Sequence, residues 1–239
     1  SSSNTSQIAA IETEDLVVLS TSQVQALQLY NSSGGLTTSQ VQALTTAQIK
    51  ALTGSQFAEF EVADMAALLA DQLKAIDVSD VASLTDAQLA ALNTSQFQEL
   101  TTAQIAGLTT SQVTALSTNY FANMTTDQMR ALTTDHVKLL STGATGQLAA
   151  IGTTGIAALT NSQVAALSAA QVAGLTTATN GQLASLTTSQ IQALTTSQIA
   201  ALTTSATTGQ IGALTSSQLA AFTTSQIQAL TTGTTGQIA

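Results

Sequence analysis

The chain has 239 residues, 44% of them hydrophobic but only 3% aromatic and 7% charged, with net charge −9 and neither cysteine nor proline. Four basic residues exclude a nucleic-acid surface, which needs clustered Lys and Arg. The lack of cysteine excludes a disulfide frame and thiolate metal sites, so stability must come from packing and partners.

The charged share is far below the roughly 25% of an ordinary soluble domain. The last charged residue is Lys138, and Leu139 to Ala239 is neutral. A surface of Thr, Ser, Gln and Asn is wettable but lacks the like-charge repulsion that keeps copies apart, which favours self-association. Without proline, no residue interrupts backbone hydrogen bonding.

Taken in chain order, "SSSNTSQIAA" opens without an initiator Met, which fits a processed N-terminus, and Gln7 with Ile8 begins the first repeating unit. Residues 1–35 form an irregular region, including "LQLYNSSGGL", and a candidate subunit-contact segment. Apolar anchors then recur nearly every eight residues: Ile11, Leu19, Leu27, Leu36, Leu44, Leu52, Phe60, and so on through Leu132 and Leu140. Three residues before each anchor stands a second apolar residue, such as Val41, Ile49, Phe57, Met65 or Leu73. Even the acid-rich stretch "FEVADMAALLADQLKAIDVSDVASL" keeps this register.

One continuous helix is excluded, because eight residues at about 100° each overshoot two turns by roughly 80° and scatter the anchors around the axis. Within a unit, however, the two apolar residues share one helical face. The Thr after the anchor and the Gln three residues later match a capping box, in which two orphan backbone donors are satisfied reciprocally. The pattern recurs at Thr37/Gln40, Thr45/Gln48, Thr53/Gln56, Thr85/Gln88, Asn93/Gln96, Thr101/Gln104, Thr187/Gln190, Thr195/Gln198, Thr215/Gln218 and Thr223/Gln226. A helix of about six residues is only some 9 Å long and does not survive alone in water. The expected fold is therefore all-α, a solenoid of very short helices in 8-residue units over residues 36–239, with three helices per coil. After residue 140 longer units of 11–12 residues intervene, as Gly- and Thr-rich wider turns. The interval from Leu140 to Leu175 holds four units and does not fit three per coil. A β-solenoid is the alternative, since Thr, Val and Ile favour strands.

No candidate chemistry emerges. His136, beside Asp135, occupies the Gln position of its unit and reads as a cap, and no nucleophile elbow accompanies it. Asp64, Asp71, Asp77, Asp80 and Asp86 lack the loop spacing of a calcium site. Asn4, Asn31, Asn93 and Asn123 stand in N-x-S/T contexts that permit glycosylation. No apolar run approaches a membrane span and no signal peptide is visible. The chain is expected to be no enzyme, to need no cofactor or metal, and to have itself as its partner.

The octapeptide "LTTSQ(I/V)xA", running from Leu36 onward with partial matches before it, resembles repeats of Thr/Ala/Gln-rich surface proteins of Gram-negative bacteria, of extracellular fibre and adhesin type. The resemblance implies secretion to the cell surface or beyond it and a structural role, and it brings no catalytic residues. The chain reads as beginning and ending in mid-unit without capping repeats, which invites head-to-tail filaments. Ser1, Ile8, Tyr30, Gln237, Ile238 and Ala239 are the candidate assembly residues. A filament subunit is the expected function; a stalk segment of a larger adhesin and an ice- or surface-binding Thr-rich solenoid are the alternatives.

Overall fold

The computed structural model describes residues 7–27, 29–31, 34–177, 181–204 and 209–230. The chain forms two compact units, Ser1–Leu116 and Ser117–Ala239. Among the described residues there are 25 α-helices of four to six residues, a 3-10 helix Gln7–Ala10, and one antiparallel ladder pairing Tyr30 with Gly35 and Asn31 with Gly34. The β-solenoid alternative finds no support. Ala and Leu between the caps favour helix, and an apolar pair spaced by three fits a helical turn.

All ten capping boxes read from the sequence are formed. In the helix Thr102–Gly107, the Thr101 hydroxyl accepts the Gln104 N–H at 3.2 Å while the Gln104 amide oxygen accepts the Thr101 N–H at 2.8 Å. A six-residue helix consists almost entirely of ends, and four N–H and four C=O groups lack partners within it. The Thr and Gln settle part of the donor deficit at one end.

Each unit buries one stripe. In most helices the apolar residue three before the anchor lies deepest: Val41, Ile49, Phe57, Met65, Leu73, Ile105, Ile156 and Ile191 are wholly buried, and most closing anchors are nearly so. Aromatic residues serve as core filler, with the Phe57 and Phe60 rings 5.4 Å apart and tilted. Met124 is an anchor that stays partly exposed.

Within each unit of the chain, a helix packs on the third helix after it. Val62–Ala67 lies on Asp86–Ala90, and Thr134–Lys138 lies on Asn161–Ala166. The packing period is thus near the expected three helices per coil but, as the glutamine contacts below show, not a strict three. Early in the first unit the ladder takes one helix's place: Thr13–Val17 packs on Thr38–Ala43, two helices onward, and the ladder itself contacts Gln7–Ala10. The paired Tyr30–Asn31 and Gly34–Gly35 thus stand in for a helix without shifting the stack.

Candidate assembly interface

The largest surprise is the glutamine. Gln40, Gln48, Gln104, Gln112, Gln163, Gln190 and Gln226 are among those no more than 3% exposed, although Gln is usually a surface residue. The amide oxygen of each closes the cap of its own helix. The amide nitrogen reaches an earlier coil and donates to two carbonyls there. Gln104 Nε2 donates to Leu73 O at 2.8 Å and to Ile76 O at 2.7 Å. Those acceptors are the deep apolar residue and the anchor of one helix, so their side chains build the core while their carbonyls face the next coil. One side chain therefore serves orphan donors at the start of its own helix and orphan acceptors at the end of another.

The glutamine does not address the helix it packs on. Gln104 stands in Thr102–Gly107, which contacts Val78–Val81, yet its amide binds the carbonyls of Leu73 within Ala70–Ala75, the fourth helix before its own, and of Ile76 at that helix's C-cap. Each helix consequently straddles the junction of two helices below, and a turn closes with between three and four units. This explains the interval that a strict threefold coil leaves unexplained. Long units open the helices Gln147–Ala150, Gln182–Ser185 and Gln210–Ala213, four helices and then three helices apart.

The long units preserve the cap across their loops. Ser141 Oγ accepts the Gln147 N–H at 2.9 Å, and Thr176 and Thr203 serve Gln182 and Gln210 at 3.0 and 3.1 Å. The capping partner is six or seven residues away in sequence rather than three. Gly146 permits this closure: a Cβ there would lie 2.6 Å from the carbonyl oxygens of both Ser141 and Thr142. Gly143, at φ 95°, makes the turn.

Departures from Gln follow the chemistry. His136 accepts the Thr133 N–H through Nδ1 at 3.2 Å and donates its own backbone N–H to the Thr133 hydroxyl at 3.1 Å, the cap role expected of it. Asp64, 3% exposed, accepts the Glu61 N–H at 3.0 Å, and burial pushes its carboxyl above the ordinary range. Its place four helices earlier is the ladder rather than a helix. Asp80 accepts the N–H of Gly54, and burial and the nearby Asp77 raise its carboxyl, in that order. Leu69 has no acceptor, so Gln72 supplies only the returning half of the box, at 2.8 Å from the Leu69 nitrogen.

Of the candidate assembly residues, Ser1, Gln237, Ile238 and Ala239 lie outside the described residues, as does Asn4. Ile8 is 6% exposed, and its carbonyl accepts Gln40 Nε2 at 2.7 Å. Tyr30 pairs with Gly35 in the ladder, where Asn31 also sits. Asn93 caps Thr94–Glu99, and Asn123 donates to the Asn119 carbonyl at 2.8 Å. No group of three or more His, Cys, Asp or Glu fit to hold a metal is present among the described residues. No described helix is long and apolar enough to cross a membrane.

The double role of Gln left a signal in the sequence. A capping box accepts Glu as readily as Gln, yet no described helix has Glu at that third position. Only the amide supplies donors as well as an acceptor.

The ALTTAQ repeat family model matches residues 81–118, 144–177 and 179–204, so the chain is a repeat protein similar to that family over these segments. No curated protein and no solved structure matches it.

Proposed function

We propose that the chain is a structural subunit of an extracellular bacterial filament, polymerising head-to-tail by laying the coils of one copy on those of the next. The observation that carries this reading is the indifference of the stacking to the covalent connection. Gln104 reaches carbonyls 31 and 28 residues back; Gln210 reaches the equivalent pair 38 and 35 residues back, across two long loops. The bonding set is the same in both. Where loop length does not set the register, a coil from another molecule needs no connecting loop to adopt it.

The neutral, wettable surface after Lys138 supports close approach of copies, and the resemblance to fibre-type repeats supports a place outside the cell. Against a surface-binding role for the threonines, hydroxyls at the cap positions are engaged by Gln, as at Thr45, whose Oγ1 lies 3.1 Å from Gln48 Oε1. Purified chain, imaged by negative stain and sized by sedimentation, is expected to form long polymers of uniform width. Folded, helical material that stays monomeric at every concentration would overturn the reading and favour a stalk segment of a larger polypeptide.

A further inference from the structure

We propose that the solenoid carries a built-in opening point at Gly155, where the helix Thr153–Ala158 parts from the coil before it while the neighbouring helices stay bonded. The opening is a property of the single chain and is independent of polymerisation.

The register of the second compact unit locates the defect. Gln163 donates to the carbonyls of Met129 and Leu132, 34 and 31 residues back, and Gln171 donates to those of Val137 and Leu140 at the same separations. The same separations from the third position of Thr153–Ala158 lead to Phe121 and Met124, but that position is Gly155. The carbonyls of Phe121 and Met124 thus accept no glutamine amide among the described residues, although Phe121 is buried. The cap is missing too, since Gly152 stands at the N-cap with no side chain to accept a bond. Toward the following coil the helix is joined normally. Gln190 donates to the carbonyls of Ile156 at 3.1 Å and Leu159 at 2.6 Å.

The anchor before Gly155 excludes a glutamine there. A Cβ on Gly155 would lie 2.7 Å from Ile151 Cγ2 and 3.5 Å from Met129 Cε. Cγ2 is fixed on a branched Cβ and does not swing aside as the terminal methyls of Leu do. The sequence repeats this association. Ile11, Ile76 and Ile151 are the isoleucine anchors, and four residues after them stand Asp15, Asp80 and Gly155, never Gln. Leu159, Leu186 and Leu194 are followed at that spacing by Gln163, Gln190 and Gln198. A branched anchor and an absent amide go together.

Packing then holds this face without a staple. Ile151 and Ile156 are buried, and Thr153–Ala158 lies on Thr126–Ala131. Apolar contact is non-directional, whereas one amide shared by two carbonyls fixes position. Met124 is partly exposed, so water stands close to one end of the gap. Two acceptors that lack a donor when closed and gain water when open lower the cost of opening.

Hydrogen exchange of the full chain, read by mass spectrometry, tests this. Local bonding is matched between two helices: Ile156 and Leu159 donate to Gly152 and Ile156 at 3.0 and 3.2 Å, and Ile191 and Leu194 donate to Thr187 and Ile191 at 2.9 and 3.2 Å. After correction for intrinsic rates, residues 152–160 are expected to exchange about tenfold faster than residues 187–195, the scale of one lost staple. Ile151→Leu/Gly155→Gln is expected to bring the two within about twofold. Ile151→Leu/Gly155→Glu returns a cap bond to residue 152 but offers the carbonyls no donor, and is expected to stay fast. Gln198→Gly is expected to open Thr196–Ala200 to the same degree. Equal protection of the two segments in wild type overturns the opening point, as does a folded Gln double variant that stays fast or a Glu double variant as slow as it. If circular dichroism shows the double variants unfolded, wild type and Gln198→Gly decide, and unchanged exchange in Gln198→Gly overturns the reading.

Discussion

Gln104 and Leu73 lie 31 residues apart in sequence and 2.8 Å apart in space, the amide of one donating to the carbonyl of the other. The same relation recurs between Gln226 and Ile191, 35 residues apart at 2.8 Å, in the other compact unit. The repeating element is thus larger than the octapeptide. It is a helix, its cap and a bond to the preceding coil, and none of the three is stable without the others.

The double role of this glutamine separates two substitutions. Gln104→Ala removes the cap acceptor and both donors, and should cost about 2–3 kcal/mol in denaturant unfolding. Gln104→Glu keeps the cap acceptor but sets a carboxylate against the carbonyls of Leu73 and Ile76, and should cost more at pH 7, about 3–5 kcal/mol, with recovery as pH falls. Equal losses that do not vary with pH would show that the amide donors contribute nothing.

The loop after Leu140 should tolerate length but not shape. Two residues inserted between Thr142 and Gly143 should change stability by less than about 1 kcal/mol, because loop closure depends weakly on length. Gly146→Ala should cost about 2 kcal/mol or more, since its Cβ would lie 2.6 Å from two backbone oxygens that hold the Ser141–Gln147 cap. Thermal denaturation of both variants reads the contrast, which fails if the insertion is the more damaging.

Asp64 should make stability fall as pH rises through the carboxylate range. Burial raises its carboxyl above the ordinary value of 3.8, so the folded state holds the proton more tightly than the unfolded chain. The stability it contributes is fully present below 3.8 and is lost as pH climbs toward the raised value. Asp64→Asn keeps an acceptor for the Glu61 N–H, and should be more stable than wild type at pH 7 with a flatter stability profile. An unchanged pH profile in urea titrations would count against this.

Much of this was legible in the residues themselves. The Leu and Ile register, the Thr–Gln caps and the absence of breakers define short amphipathic helices through interactions three and four residues long. Such contacts depend on nothing beyond the local chain. The capping of His136 was legible for the same reason. The ladder at Tyr30 and Gly35 escaped notice because a two-residue pairing has no periodicity to detect.

The sequence by itself determined where each helix begins, which face it buries, and that it cannot stand alone. Tertiary structure alone decided which helices meet, that a turn holds a fractional number of units, and that Gln binds two coils at once. The reason is physical. A cap is satisfied within one turn of chain, whereas the amide nitrogen of Gln104 has no acceptor until the coil closes and brings Leu73 and Ile76 beneath it.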